Sequence, residues 1–267
     1  MFPLHTNTFP SSAFELQRLL NESLQRSFVT DSPPVTVRER AYPHLEAITI
    51  SLDGARLRED VPHPSPVSGE TSPALEIDQF TLSASPLLVG PVTLDLSLAA
   101  HSVQLRQGKD SNDQIVLSLD HAADGNIEIS LSQADLEALV FKLARDQAEK
   151  HGITVEGVQL KLRQENAHSV AAEVTVRARK LFLRASIRVT ARLDLDDELN
   201  LKLSGLTCTG DGGMATVACG ILTPYLQKVE GRKFPLMALP LGKVRLREVQ
   251  LVVGDKVVVT AKFGSAS

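Results

Sequence analysis

Five arginines are the residues of this chain best spaced to do chemistry. Arg184, Arg188 and Arg192 recur every four positions in a segment that alternates apolar and polar residues, and Arg177 and Arg179 sit in the segment before it. Positions i, i+2 and i+4 of a strand share a face, so the first three stand roughly 13 Å apart in succession along one side. A row of guanidinium groups at that spacing suits anionic headgroups at a membrane surface, where each basic side chain contributes about 1 kcal/mol. It equally suits a solvated sheet face, with Glu173 and Asp194 as partners and the charge guarding against edge pairing.

The remaining polar clusters carry weaker signals. Asp194, Asp196, Asp197 and Glu198 are rich in oxygen ligands but lack the glycine and spaced Asp/Asn of a calcium loop, so a solvated hairpin turn is expected. Thr209 to Met214 (TGDGGM) precedes a helical pattern and can offer N–H groups to a phosphate, yet it has neither the Lys-Ser/Thr of a P-loop nor GxGxxG; a flexible turn is expected. His5, His44, His63, His101, His121, His151 and His168 are scattered without HxH or HExxH spacing, and no serine sits in a GxSxG elbow. The expectation is a non-enzymatic protein with no metal and no cofactor. Cys208 and Cys219 form no CxxC pair; a lone disulfide is one alternative, and buried free thiols, in keeping with a cytosolic chain, are the expectation.

The elements that must position the arginines are strands. From Val170 to Leu203 alternation persists almost unbroken, with Val170, Ala172, Val174 and Val176, then Leu181 to Leu195 at every second position, on the dry face. Further strands are expected at Val35 to Val37, Glu46 to Leu52, Leu75 to Leu82, Val92 to Leu105, Ile115 to Leu119, Ile127 to Leu131, Thr154 to Leu162 and Leu199 to Leu206, with a closing hairpin from Lys243 to Phe263 turned at Gly254 and Asp255. Apolar parity flips between Ile77 and Phe80, between Leu98 and Val103, and at Arg247 and Glu248, as a β-bulge would make it. Three helical patterns stand out: Ser12 to Phe28 with Ser11 or Ser12 as cap and Phe14, Leu16, Leu19, Leu20 and Leu24 apolar; 132 to 150 with Ser132 as cap and a Leu136, Leu139, Val140, Leu143 core stripe; and Met214 to Val229 with Val217, Ile221, Leu222 and Tyr225 inward and a kink or restart at Pro224. The proline- and serine-rich stretch 60 to 73 reads as a mobile loop. Helix then strands occurs twice, over 14 to 131 and 132 to 263. A single domain over 1 to 267 is the preferred organisation and two half-units the alternative.

Composition narrows the function. Hydrophobic residues make up 43% and aromatics only 4%, with no Trp, so the core is aliphatic and the stacking platforms of single-strand binders are absent. A net charge of −4 gives no basic excess for nucleic acid. Neither a charged n-region with an apolar h-region in Met1 to Phe14 nor a run of about 18 apolar residues is present, so the expected location is cytoplasmic. A one-sided aliphatic sheet must be covered, since each exposed Leu or Val forgoes about 1.5 to 3 kcal/mol. A cavity left beside the covering helices would be lined by Leu, Ile, Val and Ala, and would suit an acyl chain.

The segment Leu131 to Leu136 (LSQADL), followed by alternating strands and then Phe234 to Ala261 (FPLMALPLGKVRLREVQLVVGDKVVVTA), resembles the bacterial LmeA-like phospholipid-binding family. Tyr42 to Leu45 (YPHL) resembles that family's element after its first strand. The family is placed with the tubular lipid-binding (TULIP) proteins. The resemblance, over about residues 14 to 263, implies an α+β fold in which a strongly curved, bulged antiparallel sheet wraps a long amphipathic helix, with lipid tails held between them.

The expected function is therefore lipid binding, with phospholipid or fatty acid as partner and possible peripheral contact with a membrane. Leu136, Leu139, Val140, Leu143, Val174, Val176, Ile187 and Val189 would line the acyl path, and Arg177, Arg179, Arg184, Arg188 and Arg192 would face the headgroups. The alternative is a structural or protein-interaction module whose core is filled by its own side chains.

Overall fold

The computed structural model describes residues 2–60, 67–150, 152–180, 183–195, 200–235 and 245–264. Its first half runs β1 (Phe2–Pro3), α1 (Ala13–Ser27), β2 (Phe28–Val29), β3 (Val35–Ala41), β4 (His44–Ser51), β5 (Arg56–Leu57), β6 (Ser68–Val89), β7 (Val92–Lys109), β8 (Ile115–His121) and β9 (Asp124–Ser132). Its second half runs α2 (Gln133–Glu149), β10 (Thr154–Asn166), β11 (Ser169–Lys180), β12 (Leu183–Leu195), β13 (Asn200–Asp211), α3 (Gly213–Val229), β14 (Lys233–Pro235), β15 (Arg245–Val253) and β16 (Lys256–Gly264). The fold is α+β and mostly sheet, with 61% of residues in strands. It divides into two compact units: Met1–Ser130 with Met237–Val249 and Thr260–Ser267, and Leu131–Leu236 with Gln250–Val259.

In the first unit α1 starts where the sequence caps it. Ser12 Oγ accepts the Glu15 N–H at 3.2 Å while the Glu15 carboxylate accepts the Ser11 N–H at 2.8 Å, satisfying two helix-end donors reciprocally. Leu16, Leu19, Leu20 and Leu24 are buried in a core with Leu4, Leu45, Leu75 and Ile77. Phe14, expected with them, is 80% exposed, because it lies on the solvent side of the first turn. The sheet follows the path β15-β16-β9-β7-β6-β4-β3, and β3 is a free edge. Helix α1 covers that edge with side chains: Asn21 Oδ1 accepts the Val35 N–H at 2.8 Å, Asn21 Nδ2 donates to the Val35 carbonyl at 3.2 Å, and Gln17 Oε1 accepts the Val37 N–H at 2.8 Å.

Two expectations about this sheet are corrected. Strand β4 pairs with β6 in parallel, so the sheet is not wholly antiparallel; alternation decides which face a side chain takes, not which neighbour its strand finds. Residues Ser68 to Pro73, read as loop, belong to β6; Arg106 of β7 holds them, its Nε donating to Thr71 Oγ1 at 2.8 Å and its Nη2 to the Thr71 carbonyl. The loop prolines Pro62, Pro64 and Pro66 lie outside the described residues. Two of the three expected parity flips fall at residues with positive φ. Ser102 has φ of 49° beside Val103, and Glu248 has φ of 47° at the third flip. Ile77 still faces Val103 and Phe80 faces Ala100, so β6 and β7 turn over together without losing register.

The second unit carries a five-stranded sheet in the order β10-β11-β12-β13-β14. Ser132 Oγ caps α2 through the Asp135 N–H at 3.0 Å. Helix α2 lies against the free edge strand β10: Gln133 Nε2 donates to the Leu160 carbonyl at 2.8 Å and Glu137 accepts the Leu160 N–H at 2.7 Å. None of its residues is buried. Helix α3 packs on β12 and β13, with Ala215 and Cys219 buried beneath it. Gly210 permits this approach, since a Cβ there would lie 2.6 Å from Ala215 Cβ and 2.9 Å from the Ser186 carbonyl oxygen.

Cys208 and Cys219 form a disulfide with a Cα–Cα distance of 5.4 Å, not the free thiols expected. The two residues are brought together because β13 and α3 are antiparallel neighbours joined by a short turn. Helix α3 also departs from expectation in orientation: Val217 and Tyr225 are 58% and 63% exposed, and its inner face is Ala215, Ala218, Cys219, Leu222 and Leu226. The helix continues through Pro224, whose missing bond falls at the solvent-exposed Gly220. Among the described residues, no helix is long and apolar enough to cross a membrane.

Candidate functional site

The arginines share one face of β11 and β12, as alternation requires. Arg179 stands opposite Arg184, and Arg177, Arg188 and Arg192 face Ser186, Thr175 and Ala171. All five are exposed. Four of them are also paired. Arg179 and Arg184 flank Glu156 at 3.4 and 3.7 Å, which relieves the repulsion of two directly opposed cations. Arg188 meets Glu173 at 3.5 Å, and Arg192 meets Glu165 at 3.1 Å and Asp194 at 2.7 Å. Arg177 lies over Gly157, where a Cβ would come 3.3 Å from its guanidinium.

Glu156 and Glu165 come from a source that strict alternation hides. Each is the residue left over where β10 slips register against β11, between Val155 and Gly157 and between Gln164 and Asn166. A bulge re-aims the extra side chain, and here both extra side chains are carboxylates that reach arginines. Asp194 gathers further donors: Ser169 Oγ at 2.7 Å, Ser204 Oγ at 3.1 Å and Arg192 Nε at 2.7 Å. Burial alone would raise its pKa, but the bonds from Ser169, Arg192 and Ser204 outweigh it and hold the carboxyl below its ordinary value. Asp196, Asp197 and Glu198 of the expected acidic turn lie outside the described residues. The arrangement makes this face a network of balanced charge.

The opposite face is aliphatic. Val174 pairs with Val189 and Val176 with Ile187, and all four are half-buried. Leu136, Leu139 and Val140 of α2 are also half-buried, while Leu143 is 57% exposed, which corrects the expectation of a core stripe: a helix clamped beside a strand edge turns only part of its apolar surface inward.

A groove of about 710 Å³ crosses three cross-strand rows, Lys161–Glu173–Thr190, Leu162–Ala172–Ala191 and Arg163–Ala171–Arg192, beside Gln133 and Gly205; the two outer rows belong to the face that carries the arginines, and Arg192 is one of its walls. Its volume falls in the range of roughly 300 to 1,000 Å³ typical of small-ligand sites. None of the eight residues expected to line an acyl path touches it; Val174 and Val189 stand one side-chain step further along the same face as Ala172 and Ala191.

The first unit holds two histidine–carboxylate pairs that spacing did not reveal. His44 Nε2 lies 2.8 Å from Asp78 Oδ1, and His101 Nδ1 lies 2.7 Å from Asp124 Oδ1. The His44 hydrogen bond is the main reason that Asp78 titrates below its ordinary value, with Arg40 at 3.2 Å adding to it. His44 borders a second groove of about 420 Å³ with Leu75, Arg106 and Asp120, and like the first it carries charges of both signs. Among the described residues no three His, Cys, Asp or Glu side chains are grouped to hold a metal. No family model, curated protein or solved structure matches this chain.

Proposed function

We propose that the chain is a lipid-binding protein and that its second unit takes acyl chains along the aliphatic face of β10 to β13. The observation that carries this reading is the aliphatic face itself, where Val174 pairs with Val189 and Val176 with Ile187 and all four are only half covered by their own neighbours. Water on such a surface costs free energy that a methylene chain recovers at about 25 cal/mol per Å² buried. Helix α2, with Leu136, Leu139, Val140 and Leu143, is the element that would close over the chain, in the tubular lipid-binding arrangement of a sheet curved about a helix. The LmeA-like segments at 131–136 and 234–261 point the same way; residues 236–244 of the second lie outside the described residues. The disulfide suits an oxidising compartment better than a reducing cytosol, which moves the favoured location away from the cytoplasm.

Gentle purification followed by native mass spectrometry and organic extraction tests the reading. Stoichiometric phospholipid or fatty acid is expected, and Ile187→Trp, which fills the aliphatic face, should abolish it while circular dichroism stays unchanged. A lipid-free protein that also ignores added phospholipid would refute the proposal.

A further inference from the structure

We infer that the outward face of α3 is a membrane-docking surface, laid flat on an anionic bilayer with Val217 and Tyr225 in the headgroup–acyl boundary. From Gly213 to Gln227 the chain has no charged residue. An ordinary surface helix sets charges opposite its buried stripe, and a helix that is apolar all round is a buried one. Here the inner stripe already rests on β12 and β13, fixed by the Cys208–Cys219 bond, and the outward face sets Val217 and Tyr225, more than half exposed, among the uncharged Thr216, Gly220, Thr223, Pro224 and Gln227.

Charge identifies the partner. Between residues 213 and 235 the basic residues Lys228, Arg232 and Lys233 outnumber the single acid Glu230. Both oxygens of Glu230 accept backbone N–H groups, from Gly205 at 2.9 Å and Leu206 at 2.8 Å, so that carboxylate is turned toward the bulge in β13. Lys228 Nζ sits 5.6 Å from the centre of the Tyr225 ring. A tyrosine with a lysine beside it at the end of an uncharged helix face is the pattern of interfacial anchors, in which the ring lies at headgroup level and the ammonium reaches the phosphates. The arginine face offers an anionic surface less, because four of its five guanidinium groups already meet carboxylates. This deepens the lipid reading by naming the surface through which cargo would reach a bilayer, and it stands on observations independent of the aliphatic face of the sheet.

Co-sedimentation of the full chain with vesicles of phosphatidylglycerol and phosphatidylcholine tests it, with pure phosphatidylcholine vesicles as comparison. Binding is expected to the anionic vesicles and to weaken with salt. Val217→Asp and Tyr225→Asp should each reduce partitioning at least tenfold, and Lys228→Glu at least fivefold, each cation near such a surface being worth roughly fivefold. Unchanged circular dichroism would exclude unfolding as the cause. Absence of vesicle binding, loss on Arg188→Gln with retention in the α3 variants, or a dimer of the wild type that dissociates on Val217→Asp would overturn the inference, the last by showing that a second copy covers the face. Extraction of lipid from the same variants separates the two readings. Cargo retained without docking variants' vesicle binding supports a distinct docking face, whereas vesicle binding by a cargo-free wild type sinks only the acyl-chain reading.

Discussion

Single side chains set both ends of the pH range over which the two units keep their interactions. Asp194 in the second unit collects three donors, and its pKa is lowered in the folded state. A depressed carboxylate contributes stability that is present above its unfolded pKa of about 4 and is lost as pH falls through the lower folded value. Acid unfolding of the second unit followed by circular dichroism should therefore separate wild type from Asp194→Asn above about pH 5, with the two converging at lower pH; parallel curves throughout would mean that the site does not titrate as argued. Tyr42 in the first unit behaves in the opposite sense. Its hydroxyl donates to the Pro10 carbonyl at 2.7 Å. Burial, reinforced by the Glu15 charge, pushes its pKa up to about 12. The protonated phenol thus stabilises the fold below its unfolded pKa of about 10, and the contribution fades as pH rises from there toward the folded value. Tyr42→Phe should remove that alkaline dependence and cost about 1 kcal/mol at neutral pH for the lost hydrogen bond, both measurable by urea titration.

At the scale of elements, the two units solve the same problem in the same way. Each has an open sheet edge, β3 or β10, and each covers it with the helix that precedes it in sequence, using polar side chains four residues apart: Gln17 and Asn21 on α1, Gln133 and Glu137 on α2. An unpaired edge is a template for aggregation, so these clamps serve solubility as much as stability. Asn21→Leu would orphan the N–H and carbonyl of Val35, at about 1 to 3 kcal/mol for each buried group; Glu137→Ala should cost less, because it leaves a single N–H, that of Leu160, without its partner, in a bond that is only part-buried. Urea unfolding measures both. The repeated order of helix and strands was legible in the sequence, as were the caps at Ser12 and Ser132 and the turns of parity near Ser102 and Glu248, because these depend on local periodicity. The parallel partner of β4 was not legible, nor were the edge clamps, since both depend on register between distant segments. On the arginine face the partners Glu173 and Asp194 were legible in the sequence and pair with Arg188 and Arg192, whereas Glu156 and Glu165 were not, because they reach the face only by stepping out of alternation at bulges. The orientation of α3 was not legible for a related reason: its outward face holds Thr216, Gly220, Thr223 and Gln227 but no charge, which gives periodicity little contrast to choose by. Its tether adds a further test. Closing a loop of about a dozen residues is worth about 3 kcal/mol, so reduction of the Cys208–Cys219 bond, or its replacement by serine, should lower the melting transition of the second unit. An unchanged transition under reductant would show that packing alone holds α3.

At the scale of the whole chain, the two units differ in how completely they bury their own apolar surface. The first encloses Leu4, Leu16, Leu45, Leu75, Ile77 and their neighbours in one continuous aliphatic core. In the second, the buried apolar side chains among the described residues are Val155, Leu160, Val170, Ala215, Cys219 and Val257, while the central valines of β11 and β12 remain half exposed. Each fully buried Val or Leu contributes about 1.5 to 3 kcal/mol, so the second unit should be the weaker despite its long strands. Hydrogen exchange should find slow amides in α1, β4 and β6 and faster ones in α2 and β10. A bound acyl chain would supply the cover that the second unit lacks, and a ligand that binds only the folded form at a hundred times its Kd adds about 2.7 kcal/mol. Adding phospholipid should therefore slow exchange and raise the unfolding transition in the second unit while leaving the first unchanged. Equal protection of both units would point to a nonspecific effect of lipid on the chain, and no protection of either would mean that the half-covered aliphatic face is filled by something other than an acyl chain.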